Sequence, residues 1–513
     1  MDKTVIVIGS GFGGAVATKR FTKAGYKVSI IEMGERWKKD ENDTDHGSMP
    51  EQNQDTKFIL RCFCDYPYDY MERSMTAKDM PKLVVVTGTG YGGGSLVYSK
   101  IHLRAPESAF DYGWPSGYTR SNLDPYYDRL ESPRPNGVGI EMNPDTFKYR
   151  RSAVFNAGTC AVGLGGAKAN MLAQHNCQRC GWCVPMCVFG KKNTMTHTYL
   201  ADAEATGNLS VYTNCRVQMI TKNASGGYDV FYWKTDSVTH NYHQVNSGKV
   251  YFQSASYVVI AAGAMESPCI LQRSLTDNTY GRPRINSFSG STDLGQRIDG
   301  QADFAVGGYV GKAYQPVETH KGTIMAAHVA GDDFFIEDLH GIPAGPTVKF
   351  RSSFFMDDPY RDHGNHAWGL AYKQKFAEWS KALLAMVLVG KSPSGANISV
   401  KNNGGVTELS NEAYLPHPES YDKARQIITA LDGELAKTPW ERDGQAVTAH
   451  PTGGCHMGTV VDPHNLEVYN NHNLHVMDSS VIPHTFANPV HTILAVAQKG
   501  MDVILNENDP PKW

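Results

Sequence analysis

The sequence predicts an α/β fold built on a parallel sheet, and three features near the start of the chain carry that prediction. A β-branched run from Thr4 to Ile8 is followed by a glycine-rich turn, Gly9 to Gly14. An amphipathic stretch, Ala15 to Ala24, leads to a second β-branched run, Lys27 to Ile31. The spacing of the apolar residues changes along this segment, which indicates the order strand, turn, helix and strand. This βαβ order predicts a Rossmann-like domain.

The glycines of this turn have the spacing G-x-G-x-x-G, which in a βαβ unit binds the pyrophosphate of a dinucleotide. We expect Gly9 to permit the tight turn, Gly11 to let the backbone approach the pyrophosphate, and Gly14 to let helix and strand pack closely. Glu32 ends the second strand, where a carboxylate can accept hydrogen bonds from ribose hydroxyls. The candidate contact residues here are Gly9, Gly11, Phe12, Gly14, Glu32 and Met33.

Composition excludes several classes of protein. The chain has 513 residues, 41% of them hydrophobic and 20% charged, which is typical of globular proteins and corresponds to about three domains. The 49 basic and 52 acidic residues give a net charge of −3, which argues against a nucleic-acid partner. Apolar runs such as Ala382 to Val389 are shorter than the roughly 18 residues of a membrane span, and the start of the chain has no secretory signal. We therefore expect a cytoplasmic protein without a membrane span.

A second glycine-rich segment, Thr87 to Leu96, decides between the two common dinucleotides. Its residues have too little side chain for a core segment, but they would let a loop lie flat against a large planar ligand. A nicotinamide enzyme has no evident use for a second loop of this kind. The two glycine-rich segments together favour FAD over NAD.

Further motifs follow in a fixed order along the chain. They are Trp114-Pro115, Leu123 to Tyr127, Val258 to Pro268, His450 to Cys455, Val476 to Pro483 and Asn488-Pro489. With Gly9 to Glu32 and Gly88 to Leu96, these segments resemble the glucose-methanol-choline (GMC) family of flavoprotein oxidoreductases, especially its cholesterol-oxidase-like branch. The resemblance covers nearly the whole chain and implies an enzyme that oxidises CH–OH groups with FAD.

The resemblance implies two domains. A discontinuous FAD-binding domain would comprise residues 1–40, 83–105, 200–300 and 445–513. A substrate domain, with a mainly antiparallel sheet and flanking helices, would comprise residues 41–82, 106–199 and 301–444.

The resemblance also implies the contacts to FAD. Val217 lies in the segment that meets the adenine, and Asp478 lies near the pyrophosphate and the ribityl chain. Further implied contacts are Gly88, Gly92, Gly93, Ser95, Ala262, Gly263 and Asn488. Some relatives attach FAD to a histidine a few residues after the second glycine segment, where this chain has Val97. We therefore expect FAD to be bound non-covalently.

Alcohol oxidation needs a base with a pKa near neutrality, because the hydroxyl proton leaves while a hydride moves to flavin N5. His450 matches the family's active-site histidine, and we expect it to act as base or hydrogen-bond acceptor for the substrate hydroxyl. Asn488 matches the second active-site position and is expected to orient substrate and flavin. His491 could point the same way, but we do not expect it to take part directly.

Steroid oxidases of the family have a further active-site carboxylate after a Pro-Ala-Gly segment. Here Pro343 to Gly345 is followed by Pro346 and Thr347, which argues against a coupled isomerisation and a steroid substrate. Glu337 and Asp338 lie upstream and could substitute, although a solvated pair of charges is the favoured interpretation.

Four of the 10 cysteines fall within residues 176–194, namely Cys177, Cys180, Cys183 and Cys187. Their C-x-x-C-x-x-C-x-x-x-C spacing is typical of ferredoxins and predicts a [4Fe–4S] or [3Fe–4S] cluster. Some GMC dehydrogenases carry such a cluster, which passes electrons from flavin to an external acceptor. A zinc site and thiols packed as small hydrophobic side chains stay open as alternatives. Cys62 and Cys64 could supply a remote ligand, which we do not expect.

Acceptor and substrate are left open by the sequence. A cluster favours a dehydrogenase with an electron-acceptor protein, and its absence favours an oxidase that reduces dioxygen. A non-redox FAD lyase and a carrier with a vestigial flavin site are the competing classes. For the substrate, the small net charge fits a neutral alcohol, and the mixed aromatic and polar composition fits a ringed polyol, glycoside or nucleoside at least as well as a steroid. The aromatic residues in question are Phe334, Phe335, Phe354, Phe355, Trp368, Tyr372 and Trp379.

Overall fold

A computed structural model describes most of the chain. The described residues are 3–36, 63–66, 83–135, 137–235 without 182, 185, 186 and 188, 245–340, 377, 381–411 without 394, 396, 404 and 405, 414–436, 441 and 446–506.

The described residues form helices and strands in an alternating order. The α-helices are α1 (Phe12–Lys23), α2 (Arg120–Glu131), α3 (Arg150–Ala161), α4 (Tyr199–Glu204), α5 (Gly263–Thr276), α6 (Pro418–Ala430) and α7 (Val490–Ile504). The first twelve strands are β1 (Thr4–Ile8), β2 (Lys27–Ile31), β3 (Phe63–Tyr66), β4 (Leu83–Gly88), β5 (Ile140–Met142), β6 (Lys168–Ala169), β7 (Met171–Ala173), β8 (Leu209–Tyr212), β9 (Cys215–Lys222), β10 (Tyr228–Thr235), β11 (Val245–Ala255) and β12 (Tyr257–Ile260). The others are β13 (Phe304–Tyr309), β14 (Ala327–Ala330), β15 (Phe334–Leu339), β16 (Leu383–Gly390), β17 (Ile398–Asn403), β18 (Val406–Asn411), β19 (Glu434–Leu435), β20 (Ala446–Thr448) and β21 (Leu474–Val476).

A five-stranded parallel sheet has the order β21-β12-β1-β2-β8. Residues Val5 to Ile8 of its central strand are at most 3% exposed. Such a continuous apolar run is required where both faces of a parallel sheet are covered. Helix α1 connects β1 to β2, and Gly25, with φ of 83°, turns the chain after that helix. The predicted βαβ unit is therefore present.

A six-stranded sheet has the order β19-β13-β16-β15-β14-β6, and its printed pairings are all antiparallel. Its strand β16 is buried along its whole length, which explains the apolar run around Ala382 to Val389. Helices α3 and α6 pack against each other and against this sheet. An apolar core lies between them, because the buried side chains of Phe155, Ile427 and Leu384 belong to one cluster.

Two smaller sheets are also relevant to the arrangement of the sequence motifs. Strands β9, β10 and β11 form an antiparallel sheet that follows β8 directly. Strand β20 pairs in parallel with β4, which places the segment after Thr448 beside the second glycine segment. This pairing brings together two motifs that are far apart in the sequence.

The predicted fold class is confirmed, since a Rossmann-like parallel sheet is combined with an antiparallel sheet and flanking helices. The strands of the parallel sheet all fall within the ranges assigned to the FAD-binding domain, and those of the six-stranded sheet fall within the substrate ranges. The domain boundaries themselves stay a prediction. In the described part of the chain, the helices lack the combination of length and apolarity that crossing a bilayer demands.

Candidate active site

A cavity of about 440 Å³ lies at the carboxyl ends of four strands of the parallel sheet. Its wall includes Ile8 after β1, Ile31 after β2, Ala261 after β12 and Asp478 after β21. Ligands of open α/β sheets bind at these ends, because the strands there leave a crevice. The predicted site residues that line the cavity are Gly9, Gly11, Phe12, Glu32, Met33, Gly88, Gly93, Val217, Ala262, Gly263, Asp478, His450 and Asn488.

Three predicted contact residues lie behind the cavity wall instead. Gly14 packs helix α1 against the turn, and the Gly92 amide donates to Ser10 Oγ at 2.8 Å. The Ser95 hydroxyl donates to the Gly92 carbonyl at 2.6 Å and accepts from the Met195 amide at 2.9 Å. These residues shape the two glycine segments from outside the cavity.

The glycines of the first turn are explained by what a side chain there would meet. Gly9 has φ of 91°, and a Cβ at Gly14 would lie 2.2 Å from the Gly9 carbonyl oxygen. Gly13, which the sequence analysis did not single out, is even tighter, since its Cβ would lie 1.7 Å from the Met477 carbonyl oxygen. A Cβ at Gly11 would meet nothing within 4 Å. Gly11 therefore leaves room on the cavity side of the turn for a ligand to approach the backbone.

Helices α1 and α5 both begin at the cavity, but only α5 has a carboxylate at its N-terminus. Helix α1 has Gly11 at its N-cap, with no side-chain hydrogen bond and no acidic residue in its first turn. Its amide groups can therefore hold an anion such as a pyrophosphate. At α5, Asp478 Oδ2 accepts from the Gly263 amide at 2.8 Å and from the Ser267 hydroxyl at 2.5 Å. Burial raises the pKa of Asp478, although these hydrogen bonds oppose the rise.

Glu32 joins the two glycine segments. Its Oε2 accepts from the Ser10 amide at 3.0 Å and from the Ser10 hydroxyl at 2.7 Å, and its Oε1 accepts from the Gly34 amide at 2.9 Å. The Gly90 amide approaches Oε1 at 3.4 Å. Burial raises the pKa of Glu32, while these hydrogen bonds act in the opposite direction. The carboxylate predicted to meet a ribose thus also fixes the shape of the cavity.

His450 also lines the cavity, next to Asn488. Its Nε2 is 3.4 Å from Asn488 Nδ2, and its Nδ1 is 3.1 Å from Asp303 Oδ2. Asp303 Oδ2 also accepts from the Ala449 amide at 3.0 Å, which holds the carboxylate in place. Burial alone would lower the pKa of His450, but the carboxylates of Asp303 and Glu337 outweigh burial and raise it. A carboxylate at Nδ1 favours the tautomer whose Nε2 is free to accept a proton.

Glu337 corrects the expectation of a solvated pair of charges. Glu337 and Asp338 are both 0% exposed, because β15 lies between β14 and β16 within the antiparallel sheet. Burial, the largest influence, raises the pKa of Glu337 to about 7, while His450 and Asn488 oppose the rise. Glu337 Oε1 accepts from Asn170 Nδ2 at 3.2 Å. Asp338 instead pairs with buried Arg151 at 3.2 Å.

Sequence reasoning therefore missed Asp303 as a partner of the candidate catalytic residue His450, and it named Glu337 but favoured a solvated charge there. A signal for Glu337 was available, because the acidic pair stands in a short strand with apolar residues on both sides, Phe334-Phe335-Ile336 and Leu339. Charged residues in such a run are buried with a partner. Asp303 had no comparable local signal.

The cysteine segment borders the same cavity. Val184 lines the cavity wall, Cys183 is 4% exposed, and the ammonium group of buried Lys100 lies 3.2 Å from Cys177 Sγ. Within the part of the chain that the structure describes, no three His, Cys, Asp or Glu side chains are grouped closely enough to hold a metal ion. None of the four described cysteines of the segment forms a disulfide bond.

Several predictions fall on residues outside the described ranges. They concern Cys62, Pro343 to Thr347, Phe354, Phe355, Trp368, Tyr372 and Trp379. The described aromatic residues of that set, Phe334 and Phe335, are core residues with exposures of 0% and 7%. Neither of the two lines the cavity.

Known proteins resemble this chain over most of its length. It is 24% identical over 575 residues to a cholesterol oxidase from Acinetobacter baumannii, which covers 98% of this chain and 94% of that protein. It is 23% identical over 282 residues to the long-chain-alcohol oxidase FAO4A of Arabidopsis thaliana, covering 54% of this chain and 35% of that protein. The crystal structure of pyridoxine 4-oxidase from Mesorbium loti has the same fold, with a TM-score of 0.66 and 16% identity over 99% of this chain and 100% of that one.

Two family models, both described as GMC oxidoreductase, match residues 4–297 and 409–497. The first alone covers more than half of the chain. The resemblance inferred from the motifs is thereby confirmed. With its parallel sheet, its two glycine segments and these matches, the chain belongs to the GMC oxidoreductase family.

Proposed function

We propose that this protein oxidises an alcohol to a carbonyl compound, with FAD bound non-covalently in the cavity. One observation carries the proposal: the glycine turn and the side chains of His450, Asn488 and Asp303 line the same cavity. The free amide groups of α1 and the open space at Gly11 fit a pyrophosphate. GMC oxidoreductases bind FAD, and when bound here it would supply the hydride acceptor.

The polar groups around His450 can bind a substrate hydroxyl. His450 Nε2 accepts the hydroxyl hydrogen, while Asp303 at Nδ1 stabilises the positive charge that proton transfer creates on the ring. Two buried atoms, Asn488 Oδ1 and Glu337 Oε2, have no hydrogen-bond partner among the described residues. Buried polar atoms of this kind normally have a partner, so a bound ligand is the natural one. We propose that Asn488 orients the alcohol and that Glu337 shares its proton with His450.

The described lining beside these groups is apolar. Phe304, Ala305, Ile324, Leu339 and Val387 all contribute to the wall. Burial of apolar ligand surface against such a wall is favourable. The wall therefore favours binding of a largely apolar alcohol over binding of a sugar or a nucleoside. A comparison of turnover between a long-chain primary alcohol and a polyol of similar size tests this preference. Faster oxidation of the polyol would exclude it.

Anaerobic mixing with alcohols tests the reaction itself, because hydride transfer bleaches the flavin absorbance. We expect His450→Gln to slow bleaching by about 10² to 10⁴-fold with unchanged flavin content, as for loss of a general base. His472→Gln is the matched control, since that side chain is 84% exposed. If no alcohol bleaches the flavin of the unmodified protein, a non-redox role such as that of an FAD lyase takes the place of this proposal.

The proposal also concerns the electron acceptor, which is either an acceptor protein or dioxygen. An iron–sulfur relay to an electron-acceptor protein is supported by the thiol spacing, by Val184 in the cavity wall and by the ammonium group of Lys100 at Cys177. The described thiols are not assembled for a metal ion, so the steps above do not depend on a cluster, and dioxygen is the alternative acceptor. Iron and acid-labile sulfide in anaerobically purified protein decide between the two, and absence of iron removes the relay. A cytoplasmic location stays a prediction.

A further inference from the structure

A buried pair of histidines lies beside the cavity and has no part in the steps proposed above. His102 and His491 are both 0% exposed, and their Nδ1 atoms are 3.0 Å apart. His491 Nε2 lies 3.0 Å from Glu131 Oε1. His102 Nε2 is buried and has no hydrogen-bond partner among the described residues. The three side chains thus form one chain of contacts with an unpaired nitrogen at its inner end.

The hydrogen bonds fix the position of each proton in this chain. Burial alone would raise the pKa of Glu131, but hydrogen bonds from Arg104 and His491 lower it to about 2, so the carboxylate is ionised and can only accept. His491 Nε2 must therefore carry the proton. Burial lowers the pKa values of His491 and His102, so both rings are neutral and carry one N–H each.

The remaining proton positions follow from that assignment. His491 Nδ1 has to accept, and His102 Nδ1 has to donate to it. The lone pair of His102 is then left on Nε2, the unpaired atom. An unpaired buried acceptor lowers the stability of the fold, a cost that a purely structural pair of side chains would not need to bear.

The inner end of the chain lies against the cavity wall. His102 follows Ile101, and its ring contacts the edge of Tyr98 at 6.0 Å between centroids; both neighbours line the cavity. His491 follows Val490, another residue of the wall. The histidine pair therefore connects the segment after the second glycine loop with the helix that Asn488 precedes.

The outer end reaches the surface. Glu131 makes two hydrogen bonds with Arg104, at 2.6 and 2.7 Å. Arg104 also pairs with Asp124 at 2.8 Å and with Asp128 at 2.6 Å, and the Asp128 side chain is 69% exposed. The other groups that face the pair are Tyr127, which stacks on His491, and the more distant Arg120. The chain thus leads from the cavity wall to a solvated cluster of charges.

We propose that His102, His491 and Glu131 form a proton relay between the cavity and solvent. The inference rests on the proposed function, in which oxidation of one alcohol releases one proton and transfers one hydride. A proton that binds to His102 Nε2 releases the Nδ1 proton to His491 Nδ1, and His491 releases its Nε2 proton to Glu131. Each ring breaks one N–H bond for every one that it forms, and Glu131 then gives the proton up to solvent, so charge moves while both rings end neutral.

The same relay resets when electrons leave the enzyme. Transfer of the stored hydride equivalent to a two-electron acceptor such as dioxygen consumes one proton. If that proton returns from Glu131 through His491 to His102, every bond in the chain is restored without rotation of a ring. One outward and one inward transfer per turnover therefore balance.

Proton release measured beside flavin bleaching tests the relay. Holoenzyme is mixed anaerobically with alcohol in weak buffer that contains a pH-indicator dye. In the unmodified protein, proton release should keep pace with bleaching. In His102→Gln and His491→Gln, which keep an amide for hydrogen bonding but cannot pass a proton, release should lag behind bleaching by about tenfold to 100-fold.

His475→Gln is the matched control. His475 is also buried with an unpaired Nε2, but its chain neighbours, Leu474 and Val476, do not line the cavity. Its substitution should leave proton release in step with bleaching. Release that stays in step with bleaching in the His102 and His491 variants would overturn the relay.

A second measurement does not depend on turnover. Two-bond ¹H–¹⁵N spectra of protein labelled in its histidines report which ring nitrogen is protonated. The signal that disappears in His102→Gln should come from a ring with an unprotonated Nε2. The signal that disappears in His491→Gln should come from a ring with an unprotonated Nδ1. The opposite tautomers would overturn the relay. Absence of bleaching by any alcohol in the unmodified protein would instead refute the proposed function, and these spectra would still decide the order of protons.

Discussion

Substitution of Glu337 by Gln tests whether burial of this carboxyl group lowers the stability of the fold at neutral pH. Burial raises its pKa to about 7 from an ordinary value of 4.5. The folded protein therefore binds this proton more tightly than the unfolded chain does. The stability that the group contributes is fully present below about pH 4.5 and is lost as the pH rises through about 7. At about 1.4 kcal/mol for each pKa unit, the loss amounts to about 3 kcal/mol near pH 8.

Gln has almost the same shape as Glu and keeps an oxygen for Asn170, but it cannot ionise. The free energy of unfolding of Glu337→Gln should therefore equal that of the parent near pH 4.5 and exceed it by up to about 3 kcal/mol near pH 8. Urea unfolding followed by circular dichroism across this pH range measures both values. Glu318→Gln is the control, because Glu318 forms an exposed pair with Lys321. A difference that does not change with pH, or a variant less stable at pH 8, would refute the reasoning.

Four further substitutions test other parts of the structure. Asp303→Asn removes the carboxylate beside His450 and should lower the pKa of His450. The acid limb of the pH profile of kcat/KM should therefore move to lower pH. An acid limb that does not move would exclude Asp303 as the partner of the base. Gly14→Ala should lower Tm because its Cβ meets the Gly9 carbonyl at 2.2 Å, whereas Gly11→Ala should keep its Tm but weaken FAD binding by about tenfold, or about 1.4 kcal/mol. Equal effects of the two alanines on Tm and on flavin retention would contradict that division. Arg151→Met should lower the free energy of unfolding by about 3–5 kcal/mol, since Asp338 would stay buried without its cation, and a loss below about 1 kcal/mol would show that the pair contributes little.

The sequence predicts the βαβ unit and its glycine turn because their determinants are local. The turn from Gly9 to Gly14 and the carboxylate at Glu32 lie within one βαβ unit, so spacing alone defines their geometry. His450 and Asn488 could be named from their motifs, and the structure places them 3.4 Å apart. What the motifs do not reveal is the surroundings that set the chemistry of His450.

Those surroundings come from a different part of the chain. Asp303 and Glu337 belong to the antiparallel sheet, and the pairing of β13, β16 and β15 brings them to His450. His102 and His491 are separated by hundreds of positions, and neither stands in a motif of its own. Contacts of this kind depend on which strands pair and how the helices pack, and a single sequence carries little information about either.

The ionisable groups of this protein are divided between two kinds of burial. Away from the cavity, several buried charges are paired, as Arg20 is with Asp502 at 2.7 Å, although buried Asp299 accepts only from the Ser392 hydroxyl and the Gln301 amide among the described residues. At the cavity, Glu32 and Glu337 are buried with only neutral donors hydrogen-bonded to them, and burial raises the pKa of each. Unpaired carboxyl groups lower stability, so their concentration at one cavity is expected where proton transfer requires pKa values near neutrality. The buried carboxyl groups around the cavity therefore add a physical argument to the motifs that mark it as the candidate active site.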